Sequence, residues 1–460
     1  MKKINKVASS WKSHEKIGFR FVIIVFTLFI ILLDWPANPI VTYLYYYGYL
    51  AQGLDGIVSW IGKNLFHISY VIVSPYDGEH NDRTYVYLLY FFITLTGVVG
   101  TLLWSLADRK RQNYDALYYW FTAIIRYYLA FTMFLFGLYK FFRIQFPELG
   151  YYTLTETVGD MSPMHLAWTF FGYSQGYNVF MGMVESAGLL LLFRRTTAFG
   201  ALLSMAALTN VIAINYSFDV HAKMYPTVLF FMAFFLLIKD AKRIGQFFFT
   251  GRAVSLPVIK EVVVQKRWMN IGKTALKILV IGFFLVAHLK SSIGYRKGYQ
   301  EKLKSISPYS GIYDVDVFVL NNDTLSKDHR QVWRQLVLGD RMLEAVRFKG
   351  DSILFASAAA NKKQITVTGN PTELFTNIQK IYNELGFTDE TYYSMDSVLL
   401  ARQVVNVLNF ELVDSTALLL SGAIKNDLVS IIAKKRDINL NEFRLMKRRF
   451  HWINEASYFY

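Results

Sequence analysis

Tyr85–Leu106 reads YVYLLYFFITLTGVVGTLLWSL, 22 residues without one charged side chain. A run of that length and apolarity matches the ~30 Å hydrocarbon core of a bilayer when wound as a helix at about 1.5 Å per residue. The chain therefore reads first as a membrane protein. Comparable runs lie on both sides of it. The sequence predicts further spans over Gly18–Trp35, Tyr118–Phe142, Tyr177–Phe193, Phe199–Tyr216, Met224–Ile238 and Leu276–His288, seven in all, several reaching full length only with their flanks. No small-residue cleavage site follows Asp34-Trp35-Pro36, so the first run is expected to stay as an uncleaved span with Trp35 in the interfacial belt. Pro39–Ser74 carries Leu54, Ile57, Val58, Ile61 and Leu65 at helical spacing, which predicts an amphipathic helix on the membrane surface.

The composition agrees. Of 460 residues, 53% are hydrophobic, 17% aromatic and only 18% charged. The absence of cysteine removes disulfides, thiolate catalysis, Cys-ligated zinc and iron–sulfur clusters. A net charge of +15 would suit a nucleic-acid partner, but its distribution argues otherwise. Lysine and arginine concentrate before the first span (Lys2, Lys3, Lys6, Lys12, Lys16, Arg20), at Arg109-Lys110-Arg111, at Arg194-Arg195 and from Lys239 to Lys277, whereas the alternate loops are nearly bare. That asymmetry marks cytoplasmic loops. It predicts a cytoplasmic N-terminus, a multi-pass chain in a bacterial inner membrane, the bilayer as partner, and no nucleic-acid partner.

From about Tyr295 the texture changes. Short alternating runs appear at Tyr313–Val319, Ser352–Phe355 and Gln364–Thr368, with two more at Leu418–Leu420 and Leu428–Ala433, separated by turn residues such as Gly339, Gly350-Asp351 and Lys425-Asn426-Asp427. These predict a soluble β-rich barrel or sandwich on the periplasmic side, with Asn377–Leu385 and Leu399–Val407 as candidate helices. The expected organisation is 1–117 for the first spans and surface segment, 118–240 for a four-helix core, 241–294 for a basic linker and the seventh span, and 295–460 for the outer domain.

Within the four-helix region the order of motifs carries a resemblance: Gly137, Lys140 and Gln145-Phe146-Pro147; Val158-Gly159-Asp160-Met161-Ser162-Pro163; Trp168, Gly172-Tyr173-Ser174, Gly182 and Glu185; Gly188 to Arg195; and Asn210, Asn215 and Asp219-Val220-His221-Ala222-Lys223. Gly311–Val315 and Arg449–Glu455 add to it. Together these resemble the DoxX-like membrane proteins, in particular their long bacterial branch with an added outer domain. His221 stands where that family usually has proline. The resemblance implies a four-helix membrane core, and a quinone or a similar lipid-soluble ligand. The name comes by analogy from a membrane subunit of a thiosulfate:quinone oxidoreductase, so an oxidoreductase complex with membrane or periplasmic protein partners is the implied setting.

Read from chemistry alone, Glu185 is the most informative side chain. A carboxylate in mid-span must face the bundle, pair, or be protonated, because lipid exposure costs several kcal/mol. Arg126 and Asn210 are the expected partners if it serves only as a packing staple. Asn210 and Asn215 on the fifth span likewise demand partners, which polar contacts between helices would supply. At the outer helix ends, Lys140, Gln145, Asp160, His165, Trp168, Asp219, His221 and Lys223 would converge into a polar mouth above Glu185. The same residues read equally as lysines reaching for phosphates and as loop caps. No metal-ligand spacing, phosphate loop or nucleophile motif appears. Two readings follow, a ligand-binding membrane subunit and a non-catalytic scaffold or envelope-assembly factor.

Overall fold

In the computed structural model the long apolar runs are helices, as a medium without water requires of every backbone N–H and C=O. The structure describes residues 11–33, 50–69, 72, 82–256, 267–306, 308–329, 332–339, 342–347, 353–355, 357–361, 364–369, 404–414, 416–424 and 427–447. Residues 39–49 of the expected surface segment, the candidate helix Asn377–Leu385 and the Arg449–Glu455 motif fall outside these residues.

The larger helices are α1 (Ser13–Leu32), α2 (Leu50–Asn64), α3 (Thr84–Ala107), α4 (Asp115–Phe141), α5 (Tyr151–Thr155), α6 (Pro163–Tyr173), α7 (Gln175–Ser186), α8 (Thr197–Ser217), α9 (Met224–Leu237), α10 (Ala241–Thr250) and α11 (Arg267–Ile306). By length and composition, α3, α4, α8 and the α11 stretch Trp268–Lys304 can each cross a membrane, and α9 with α10, bent by 85°, makes a fifth if the pair is one span. The expected spans differ here for physical reasons. Glu15, Lys16 and Arg20 interrupt the apolar character of α1, and Tyr177–Phe193 is not one helix, since α7 tightens into a 3₁₀ segment at Ala187–Leu192. Leu276–His288 forms only the middle of α11, a helix of 40 residues.

Two compact units emerge, one comprising Met1–Phe146 with Ser174–Gly294, the other Pro147–Tyr173 with Tyr295–Tyr460. In the first, the core gathers Ile125, Leu129 and Met133 of α4, Leu191 of the 3₁₀ segment, Leu208 of α8, and Leu229 and Met232 of α9, all fully buried. One end of this bundle is tied by basic and aromatic side chains. Arg20 donates to the Tyr114 hydroxyl (2.9 Å), the Ser105 hydroxyl (2.7 Å) and the Asp108 carbonyl (2.9 Å). Lys16 donates to the Arg111 carbonyl, and the Lys239 ammonium lies 3.5 Å from the Tyr118 ring centre. The segment expected to lie on the membrane surface packs one face on the ends of α1 and α3: Leu54, Val58 and Ile61 of α2 bury against Leu32, Tyr85, Leu88 and Leu89, while Ile57, Trp60 and Leu65 stay exposed. Its helical pattern is thus two-sided.

The second unit holds a sheet in the order β5-β4-β3-β1-β10-β9-β8-β7-β6, with the short β2 (Asp323–Thr324) paired to β1. The strands are β1 (Gly311–Leu320), β3 (Gln335–Gly339), β4 (Met342–Arg347), β5 (Ile353–Phe355), β6 (Ser357–Asn361), β7 (Gln364–Gly369), β8 (Val404–Leu412), β9 (Ala417–Ile424) and β10 (Asp427–Lys435). Its two outermost strands, β5 and β6, are separated by a single residue in the chain. One residue spans only a few ångströms, so the sheet must curl until its edges come together. Along β10 the buried residues Val429, Ile431 and Ala433 alternate strictly with outward ones. In β1 the inward set changes parity, from Tyr313 and Val315 to Phe318, across a bulge between Val315 and Val317. That turns Asp316 outward to meet Lys434 (3.1 Å) and Lys327 (3.6 Å), and these ammonium groups, Lys434 above all, hold its carboxyl below the usual range. Trp333, Leu336, Leu338 and Leu420 complete the interior. Burial pushes the Tyr313 phenol up to about 12, and its hydroxyl donates to the Tyr309 carbonyl. The expected helix at Leu399–Val407 is corrected over its described part, because Val404–Leu412 is β8. Its residues Val404–Asn409 pair in register with Gln364–Gly369 of β7.

Pro147–Tyr173, which the span pattern groups with the four-helix core, belongs to the sheet-bearing unit. Glu148 receives a two-pronged bond from Arg296 (3.0 and 2.5 Å), the Tyr151 hydroxyl reaches the Ile438 carbonyl, and Arg347 donates to the Thr155 carbonyl. Polar loop groups outside a helical bundle need such partners, and this unit supplies them.

Candidate functional site

Most of the residues singled out from the sequence fall into three groups, each held by ion pairs. Lys140 ends α4 and Glu185 lies on α7. The Lys140 ammonium sits 2.8 Å from the Glu185 carboxylate, with both side chains almost wholly buried. It also donates to the Gln145 side-chain carbonyl at 3.0 Å and lies 5.7 Å from the Phe146 ring centre. Neither Arg126 nor Asn210 serves Glu185. Beside the pair, the two helix backbones touch: a methyl group added at Gly137 would stand 2.7 Å from the Gly182 carbonyl oxygen, and one added at Gly182 would stand 2.9 Å from that of Gly137. The small face formed by Gly182 and Ser186 thus receives α4 directly. An interior Asn178 one helical turn before Gly182 donates to the Ser174 carbonyl.

Arg126 has a different task. Its Nε donates to the Leu191 carbonyl at 2.8 Å. A 3₁₀ segment at a helix end leaves carbonyls without their α-helical partners. Arg126 satisfies one of them.

The second group closes the connection between α8 and α9. Lys223 pairs with Asp219 (2.7 Å) and lies 3.8 Å from Asp82, whose carboxylate also accepts the Lys223 backbone N–H. The Asp82 N–H reaches the His221 carbonyl, and the Asn215 amide donates to the Ala222 carbonyl. Asp219 adopts a left-handed backbone at φ 49°, a conformation that Asp tolerates better than most residues. Asp82 was not anticipated from the sequence; its place just before α3, opposite the loop bearing Lys223, was the available signal.

Asn210 is corrected outright. The buried face of α8 is Thr197, Gly200, Ala201, Ser204, Ala207, Leu208 and Asn215, and at about 100° per residue Asn210 falls on the other side. It is exposed there, next to Ala206 and Ala213.

In the sheet-bearing unit, the His165 Nδ1 lies 2.7 Å from the buried Glu156 carboxylate and its Nε2 lies 3.2 Å from the Thr153 hydroxyl. The imidazole stacks on Tyr152 at 5.4 Å and 6°. Asp160 accepts the Thr157 hydroxyl at 2.5 Å, the loop cap its alternative reading describes. Trp168 lies on α6, half-buried. Among the described residues, no group of three or more His, Asp or Glu could hold a metal ion. What these groups share is that each charge already meets a partner from the same unit, the arrangement that locks helices and loops in place.

A curated protein of Bacillus subtilis strain 168, the uncharacterised protein YwoB, is 38% identical over 122 residues, which is 77% of its own length and 26% of this chain. The chain belongs to the YwoB family. The match covers about a quarter of the chain, so the YwoB-like part carries the relationship and the remainder stands outside it. No family model matches, and no solved structure matches. YwoB brings no activity with it, and the chemistry of the YwoB-like chain has to be argued from its own side chains.

Proposed function

We propose that this protein is a DoxX-like, multi-pass protein of a bacterial inner membrane that acts as a non-catalytic scaffold, carrying its β-rich unit on the periplasmic side to meet membrane or envelope proteins. The observation behind the scaffold reading is the Lys140–Glu185 pair. A carboxylate poised to bind or protonate a quinone needs open space in front of it. Here Glu185 is 4% exposed, its carboxylate faces an ammonium at 2.8 Å, and the helix backbones close together one turn away at Gly137 and Gly182. That is how a staple looks.

Seven spans, counting α1, α3, α4, α7 with its 3₁₀ segment, α8, α9 and α11, would place the chain end opposite a cytoplasmic N-terminus. The reading draws support from the contacts of Lys16, Arg20, Arg111 and Lys239, which bring the basic segments around the first, second, third and sixth spans to one end of the bundle. A reporter active only in the periplasm, fused after Tyr460, is expected to be active. Activity of a cytoplasm-restricted reporter in its place would end the assignment.

The scaffold reading separates from the quinone-subunit reading in one variant. Glu185→Gln keeps shape but removes a charge-assisted bond, so melting in detergent should fall by an amount corresponding to about 1–3 kcal/mol. Quinone co-extracted with the purified protein should equal that of wild type. Loss of extracted quinone at unchanged melting temperature would sink the scaffold and restore the ligand site.

A further inference from the structure

A cavity of about 670 Å³ opens along α4 and α11, within the helical unit and apart from the three groups above. Four cations line it, Arg126 from α4, Arg194 from the turn before α8, and Lys273 and Lys277 from the first turns of α11. None of its described lining residues is acidic. The rest of the wall is apolar and aromatic, with Trp120, Ile124 and Val280 beside Phe131 and Phe284, whose rings stack at 4.7 Å and 15°.

Arg126 points to what belongs there. It is 3% exposed, its Nε is engaged by the Leu191 carbonyl, and its Nη2 is buried without a hydrogen-bond partner. A guanidinium in an apolar span keeps such a donor unsatisfied only at considerable cost, and an anion is what would complete it. On a helix, side chains lean toward the N-terminus. From position 126 that direction leads toward Tyr119 and Trp120, residues of the kind that mark the headgroup level of a bilayer. Arg194, Lys273 and Lys277 belong to the basic stretches expected at the same face. One end of the cavity thus presents cations at headgroup depth and the other presents hydrocarbon.

We propose that this cavity binds an anionic phospholipid of the surrounding leaflet, its phosphate held by Arg126, Arg194, Lys273 and Lys277 at the level of Trp120 and its acyl chains lying against Ile124, Phe131, Val280 and Phe284. A basic pocket between helices, capped by aromatics, recognises this class through charge and the depth at which the charge sits. The proposal rests on the membrane reading of the helices but not on which face is cytoplasmic, so a failed reporter fusion leaves it standing and a failed lipid titration leaves the topology standing.

The test uses the full chain, delipidated in neutral detergent and titrated with phosphatidylglycerol or phosphatidylcholine of identical acyl composition, read by native mass spectrometry and by thermal shift. Phosphatidylglycerol should bind at least tenfold more tightly than phosphatidylcholine and should raise the melting temperature, and 0.5 M salt should shrink the difference. Lys273→Gln/Lys277→Gln, on the exposed start of α11, should reduce that preference severalfold without altering the fold, and Arg126→Gln should reduce it at least as much. Lys302→Gln/Lys304→Gln, at the other end of α11, should behave as wild type. Equal binding of both lipids would overturn the proposal. So would an unchanged preference in the Lys273/Lys277 variant, which decides the matter even if Arg126→Gln fails to fold. Stabilisation by a long-chain quinone and not by phosphatidylglycerol would also overturn it and give the cavity to a neutral ligand.

Discussion

Lys140→Met is expected to destabilise the helical unit by about 3 kcal/mol. Removing one partner of a buried ion pair leaves the other charge uncompensated, which costs about 3–5 kcal/mol in water-soluble proteins. A membrane moves the figure to the lower end, because the unfolded chain also finds polar partners there. Glu185 retains no other described ion-pair partner once the ammonium is gone, whereas the Gln145 carbonyl that Lys140 also holds lies near the helix end. The decisive comparison is Lys140→Met/Glu185→Leu. If the pair is a staple, an apolar replacement of both sides should recover all but about 1 kcal/mol, since a buried pair is often no better than well-packed hydrophobic groups. Unfolding in detergent with increasing denaturant would measure both. A double variant as unstable as the single one would show that Glu185 is not what Lys140 serves.

Gly137→Val should be at least as damaging, at about 3 kcal/mol or more, beyond the usual range for overpacking. The first added carbon would stand 2.2 Å from the Ser186 hydroxyl and 2.7 Å from the Gly182 carbonyl oxygen. The hydroxyl can rotate away. The carbonyl belongs to the backbone of α7, so α4 and α7 must separate, and separation also pulls Lys140 from Glu185. Gly272→Ala provides the control, because nothing lies within 4 Å of its position and exposed helical glycine is the less stable residue. Melting temperature and resistance to trypsin should both fall for Gly137→Val and hold for Gly272→Ala. Equal stability of the two would mean that this crossing is looser than its distances imply.

That Glu185 must face the bundle, pair or be protonated was legible, because its depth follows from counting residues along an apolar run. The four-residue spacing of Gly182 and Ser186 puts two small side chains on one helix face, a pattern that admits a neighbouring helix and is visible in the sequence itself. The identity of the Glu185 partner was not legible: Arg126, Asn210 and Lys140 sit on different turns and helices, and the choice depends on how each helix is rotated about its axis. Arg126 was diverted by the 3₁₀ segment at Ala187–Leu192, whose Leu191 carbonyl it satisfies. Asn210 faces away because the small residues Gly200, Ala201 and Ser204 orient α8.

The sequence by itself determined that long apolar helices dominate the first two-thirds of the chain and that alternating strands follow from Gly311. Both are local properties, set by transfer free energy and by the periods of helix and strand. The tertiary structure alone decided that Lys140 closes Glu185, that Asp82 closes Lys223, that the bulge in β1 reverses which side chains face the core, and that Pro147–Tyr173 joins the sheet-bearing unit. Each of these depends on contacts between residues distant in sequence, where helix rotation and strand register choose among partners of equal chemistry.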